Sequence, residues 1–287
     1  MKGLTVRRFS LVARTKQILS KLSLLWRAAE KFDDDNGLFL SSGIAFSLLI
    51  CLVPLFLLLL SLVGTYLYGD REVLKHIHHY IENAVPALEP RMIQNIFRIM
   101  EDRKIVGGIG IFGLIWASTW VFSSLRTALN KVFQVEKGQS ILGGKAIDIL
   151  MVFLAGTFLL MSMALTSLVT YLRHYSPLDL GPVIHFSLKY VIPFLFTFWM
   201  FFLIYKIIPN KKIQFKVALQ AAFFTSLLWE VAKQSFGWYV LHLGGFTMIY
   251  GSLSTLAIFV LWVYYSSAIL VLGGEVAFLL GSKRSPS

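Results

Sequence analysis

Apolar and polar positions along this chain fall into long blocks rather than short alternations. Residues 38–68, 105–125, 147–172, 183–208, 217–241 and 249–280 are each predominantly apolar. A helix needs about 20 such residues to cross the hydrocarbon core of a bilayer, where every backbone polar group must be bonded within its own segment. The pattern therefore predicts an all-α fold: a polytopic membrane bundle of six transmembrane helices. Several blocks exceed the minimum, which implies tilt or extension beyond the bilayer. The second block fits least well, since it holds Gly107, Gly108, Gly110 and Gly113 and runs directly into Arg126.

Between the blocks the pattern changes period. Ile18, Leu22, Leu25, Ala29 and Phe32 recur at helical spacing, with Lys21, Arg27 and Lys31 on other faces. This reads as a basic amphipathic helix on the inner leaflet, with packing beneath the bundle as the alternative. Asp33-Asp34-Asp35-Asn36-Gly37 is expected to end that helix, its acids suiting the start of the first span. Within 69–104, Val73, Ile77, Tyr80, Ile81 and Ala84 form one apolar stripe, and Met92, Ile93, Ile96, Phe97 and Met100 another. Pro86 and Pro90 lie between the stripes, so two short outer helices are expected. The organisation predicted is a cytoplasmic basic arm at 1–37, a six-helix domain at 38–281 carrying the outer loop 69–104, and a cytoplasmic tail at 282–287.

Charge orients these helices. The net charge is +12, with 27 Lys and Arg in all. They concentrate in the N-terminal arm, in the segment from Arg126 to Lys145, around the fourth-to-fifth connection (Lys206, Lys211, Lys212, Lys216) and in the tail (Lys283, Arg284). With the N-terminus inside, all four segments fall on the cytoplasmic side, as the positive-inside rule requires. Loop 69–104 carries as many acids as bases. Such a distribution makes nucleic acid an unneeded explanation of the charge. Charged residues make up only 15% of the chain, against about a quarter in soluble domains. Cys51 is the sole cysteine, so no internal disulfide forms.

Several short motifs are familiar. They are Ser41-Ser42-Gly43-Ile44-Ala45-Phe46-Ser47 running on to Pro54, Gly113-Leu114-Ile115-Trp116-Ala117-Ser118, and Ala128-Leu129-Asn130-Lys131-Val132-Phe133. Further along come Tyr205-Lys206-Ile207-Ile208-Pro209-Asn210, Leu228-Trp229-Glu230, Tyr250-Gly251-Ser252-Leu253, Leu261-Trp262-Val263-Tyr264 and Leu272-Gly273-Gly274-Glu275. In this order and spacing, over about residues 38–280, the set resembles the BrkB/YihY family. Two positions depart from it: Cys51 stands where the family often has Ser, and Gly274 where many members have Ala. The resemblance implies a six-helix bacterial inner-membrane protein with a link to the cell envelope. Members have also carried the label ribonuclease BN.

The residues themselves argue against a nuclease. Hydrolysis with metals needs convergent carboxylates or histidines in a wet site. Under this topology, His76, His78, His79, His174, His185 and His242 lie outside or near the outer interface, away from RNA. His76 and His79 share a helix face with Glu72, but zinc needs further ligands, so no metal site is expected. No phosphate-binding glycine loop or nucleophile–base set is present, so no enzyme, no cofactor and no ATP-driven pump are expected.

The ionisable residues within the spans are more informative. Glu230 falls near the middle of the fifth span, with Lys233 one turn on, and Lys189 lies in the outer part of the fourth. A mid-bilayer charge costs at least ~2.5 kcal/mol and faces a partner or a wet cavity. One reading is a ligand cavity where Lys189 and Lys233 hold an anionic head group and Glu230 neutralises it. The other is an internal Glu230–Lys233 pair that locks the bundle. Arg126 and Glu275 reach similar depth at the cytoplasmic face, with Asn130 and Asp148 near the same level; one reading is a salt bridge acting as a latch, the other separate snorkelling side chains. Pro54 and Pro193 lie within spans as candidate hinges. The leading expectation is transport or presentation of an anionic lipid or other envelope amphiphile, or of a small solute or ion. A non-transporting scaffold that binds an envelope partner protein through loop 69–104 or the N-terminal arm is the alternative.

Overall fold

The computed structural model describes residues 23–67, 102–135, 143–144, 146–154, 157, 191–242 and 252–282. Most of the arm, most of loop 69–104, Lys189, five of the histidines (76, 78, 79, 174 and 185), much of the third block and the tail from 283 therefore lie outside the described residues. Seven helices make up the described chain, and it contains no strand: α1 (23–34), α2 (Gly37–Leu67), α3 (Arg103–Val132), α4 (146–154), α5 (Ile192–Ile207), α6 (Phe215–His242) and α7 (Ser252–Ser282). Four of them, α2, α3, α6 and α7, are long and apolar enough to cross a membrane. The third and fourth blocks appear only as α4 and the 16-residue α5.

The break before the first span falls where the acidic run predicts it. Asn36 takes a positive φ of 55°, a conformation that Asn tolerates better than most residues. Its carbonyl accepts from the Leu40 amide at 3.0 Å, which starts α2. Gly37 follows because the Phe32 ring occupies the place of any Cβ there. Helix α1 packs on the bundle, but through a face offset from the predicted stripe. Ala28 is fully buried against Val276 and Leu279, joined by Leu24, while Leu25 is exposed and Trp26 is 75% exposed. The Lys31 ion pairs described below set its rotation.

Helices α2 and α3 form the most extensive pair. Their seam is built from small residues, which let antiparallel backbones approach in lipid. A Cβ on Gly110 would lie 3.1 Å from the Leu58 backbone nitrogen, and one on Gly113 would lie 3.1 Å from Pro54 Cβ. Hydroxyls follow the same seam: Ser61 Oγ donates to the Arg103 carbonyl at 2.7 Å, and Ser47 and Ser124 share a bond of 2.6 Å. The glycines that weaken the second block as a sequence signal are thus its packing surface. The helix also continues through Arg126 to Val132, seven residues past the predicted end at 125.

Helix α7 joins this pair to the second pair, α5 and α6. The core concentrates at one end of the bundle, in Leu125–Phe133 of α3, Phe201–Ile208 of α5, Val217–Ala222 of α6 and Leu270–Ala277 of α7. This is the end to which the basic segments are attached. Toward the opposite end α6 and α7 meet through rings, with Trp229 and Phe236 at 5.3 and 4.6 Å from Trp262.

Two substitutions test the seam. Gly110→Val is expected to destabilise the chain by about 1–3 kcal/mol, because the added carbons meet main chain that cannot move aside. Gly108→Ala meets nothing within 4 Å and is expected to leave stability unchanged or slightly raised. Thermal unfolding in detergent, followed by size-exclusion recovery, distinguishes them.

Candidate functional site

Two polar groupings stand out against the apolar helices. The first lies where the basic ends of α1, α3, α5, α6 and α7 converge. Lys31 Nζ bonds Asp35 in its own turn, the Val132 carbonyl at 3.0 Å and Glu275 Oε2 at 2.7 Å. It also sits 4.3 Å from the centre of the Phe278 ring, a favourable place for a cation. Close by, Arg126 is paired with Asp148, and both side chains are largely buried. Asn130 Oδ1 accepts from the Asn210 amide at 2.9 Å, and Lys211 Nζ donates to the Phe133 carbonyl at 3.2 Å.

The predicted latch is therefore corrected. Arg126 and Glu275 do not bond each other, because each has a nearer partner of opposite charge: Asp148 for Arg126 and Lys31 for Glu275. Asn130 is at the same end, as expected, but it holds the loop after α5 rather than either charge. Lys31 was the residue that sequence reasoning missed. A stripe through Leu25 and Ala29 leaves it on another face of the helix. The signal that finds it is Ala28, small and four residues ahead of Phe32, which marks a face able to lie close to another helix.

At this end the hydrogen bonds explain several of the short motifs. Tyr205 Oη donates to the Leu270 carbonyl at 2.8 Å and lies 3.0 Å from Thr225 Oγ1, tying α5 to α6 and α7 at once. Gly273 makes this possible, since any Cβ there would collide with both oxygens. Gly274 is less constrained: a Cβ would meet the flexible end of Leu129 at 3.0 Å. That agrees with the alanine that the resemblance places here in many members.

The second grouping is on α6. Lys233 Nζ donates to Glu230 Oε2 at 2.7 Å, and Gln234 Nε2 donates to Glu230 Oε1 at 3.2 Å. The side chains of Lys233 and Glu230 are 45% and 30% exposed on the chain's surface. Gln234 also lines a groove of about 830 Å³ between α6 and α7, walled by Phe236, Trp238, Tyr239, Trp262 and Tyr265. Lys189 lies outside the described residues, so its convergence with Lys233 remains an expectation. Pro54 is inside α2, where it offers no amide to the Ile50 carbonyl. Pro193 lies in the first described turn of α5, and the residues before 191 lie outside the described ones.

The family model for Virulence factor BrkB matches residues 28–287, nearly the whole chain. The chain belongs to the BrkB family. Similar proteins are known as UPF0761 membrane proteins. One from Glaesserella parasuis is 29% identical over 199 residues, covering 69% of this chain and 70% of its own length. One from Haemophilus influenzae is 26% identical over 259 residues, covering 90% and 93%. One from Pseudoalteromonas atlantica is 25% identical over 269 residues, covering 91% and 87%. No solved structure matches. These BrkB-family relatives establish a membrane protein with bacterial kin and leave its activity to be read from the chain. Among the described residues, no group of three or more His, Cys, Asp and Glu side chains is placed to hold a metal.

Breaking the buried Arg126–Asp148 pair is expected to be costly. Arg126→Ala or Asp148→Ala should each destabilise by about 3–5 kcal/mol, because a buried charge loses its opposite charge. The double replacement should recover part of that loss. Chemical or thermal unfolding of the four-member cycle in detergent measures the coupling.

Proposed function

We propose that this BrkB-family protein is a transport-type protein of the bacterial inner membrane that binds an anionic lipid or similar envelope amphiphile beside α6. In this reading the chain crosses the membrane six times with both termini in the cytoplasm, and it is not an enzyme. The observation that carries the proposal is the position of Lys233. It projects about one turn past the middle of an apolar helix, half-exposed, and its partner Glu230 also holds Gln234, which with Ser235 forms part of the lining of an aromatic groove.

The geometry weighs against a purely locking role. The Lys233–Glu230 bond joins residues three apart on one helix, so it ties no two helices together. Its physical effect is to keep Lys233 neutralised when no ligand is present. An arriving phosphate or carboxylate would compete with Glu230 for the ammonium, while acyl chains or other apolar parts lay along Trp238, Tyr239 and Tyr265. Aromatic rings with a polar edge suit a site where head group and hydrocarbon meet. Lys189, which the fourth block places in its outer part, supplies the second cation in this reading.

The test is lipid co-purification. The full chain is extracted with its native lipid in a polymer nanodisc, beside Lys189→Ala and Lys233→Ala variants, and the bound lipids are quantified. An anionic lipid enriched over the bulk membrane, and reduced at least about fivefold in both variants, supports the site; a loss of this size corresponds to roughly 1 kcal/mol. Bulk lipid only, unchanged by either substitution, overturns it and turns attention to loop 69–104 as a partner surface.

A further inference from the structure

Glu275 is left half satisfied by the arrangement at the basic end. Its side chain is 0% exposed, and only Oε2 is bonded, to Lys31 at 2.7 Å. Oε1 is buried with no hydrogen-bond partner. Lys31 has no donor left for it, because an ammonium has three and these go to Asp35, the Val132 carbonyl and Glu275 Oε2.

The charge around Glu275 does not balance. From α1 and the turn after it come Lys31 and Asp35. From α3 comes the Val132 carbonyl, with Lys131 beside it exposed to solvent. From the connection between α5 and α6 comes Lys211, exposed, bonded to the Phe133 carbonyl and 5.8 Å from the Phe278 ring. Arg126 is committed to Asp148. The buried set is one ammonium against two carboxylates, which leaves one negative charge in excess. A shielded, unpartnered carboxylate oxygen is costly, and a neutral carboxyl is much less so. Its shielding admits only a very small ligand.

We propose that Glu275 is a proton-binding site and that its occupancy controls the docking of α1. A proton from the aqueous phase at the basic end bonds to Oε1, the carboxylate becomes a neutral carboxylic acid, and no other bond is made or broken. Lys31 then keeps one anionic partner, Asp35, which belongs to its own segment. The ion pair between α1 and α7 is lost, and the helix is left with the contacts of Ala28 and Leu24 on Val276 and Leu279 and those of Lys31 with the Phe278 ring and the Val132 carbonyl. The site is independent of the groove on α6, so it stands or falls separately from the lipid reading.

The test uses the full chain in nanodiscs and two readouts. Infrared difference spectra across pH report the carbonyl stretch of a buried carboxylic acid, and trypsin cleavage after Arg27 reports release of α1. The native chain is expected to gain the carboxylic-acid band as pH falls, with cleavage rising over the same range. Glu275→Gln should lose the band and be cleaved readily at all pH values, and Asp35→Asn should keep the band. Lys31→Met, which leaves Glu275 with no counter-ion, should bind the proton at least about tenfold more tightly, so that its transition moves to higher pH. A band unchanged in Glu275→Gln, a band lost in Asp35→Asn, or a Lys31→Met transition that does not move overturns the proposal. So does cleavage that is independent of pH in the native chain.

Discussion

A lysine ammonium taken out of water has three N–H donors to place, and Lys31 places them on three parts of the chain: its own turn, the end of α3 and the flank of α7. Much of the described fold follows from that one group. It fixes the rotation of α1, so that Ala28 rather than Leu25 faces the bundle. It brings the ends of α3 and α7 together, where Gly274 lies under Leu129 and Val132. It also explains why Glu275 is tolerated in a span with no other acid or base within it. The loop after α5 arrives at the same place through Asn130 and Asn210, and Tyr205 closes the set by bonding the α7 backbone.

Two kinds of contact hold the rest. Between α2 and α3 the backbones approach at glycine and serine, so the pair is joined by close dispersion contact and short hydroxyl bonds along its length. Between α6 and α7 beyond Thr225 the contacts are large rings, and rings leave gaps that methyl groups and backbone do not. The aromatic groove is one such gap. The division of packing styles is also a division of the chain, with α7 as the member that touches both.

Span positions were legible because a bilayer demands length and apolarity above all else. The starts of α2 and α6 fall within two residues of the apolar blocks. The end of α3 was misplaced because Arg126 looks like a boundary until Asp148, which the sequence places only near the same level, is seen to neutralise it. The membrane class and the family were readable from the run of motifs. The partners of the charges were not. Helical spacing says which residues share a face of one helix, as with Glu230 and Lys233, but which helix ends meet depends on packing, and both Arg126 and Glu275 found partners that spacing does not rank. The α1 face was misread for a related reason: apolar periodicity cannot distinguish a face that buries an ammonium from one that meets solvent.

Tyr205 has one consequence beyond stability. It fastens α5, α6 and α7 to one another near the basic end, and α6 then runs on for 17 residues past Thr225. At 1.5 Å per residue that described length is about 25 Å, along which rings rather than backbone meet α7, so a tilt of about 10° about the tyrosine would displace residue 242 by roughly 4 Å. The same angle barely disturbs the fastened end. Distance from Tyr205 thus sets how strongly any tilt of α6 would be felt at the aromatic groove.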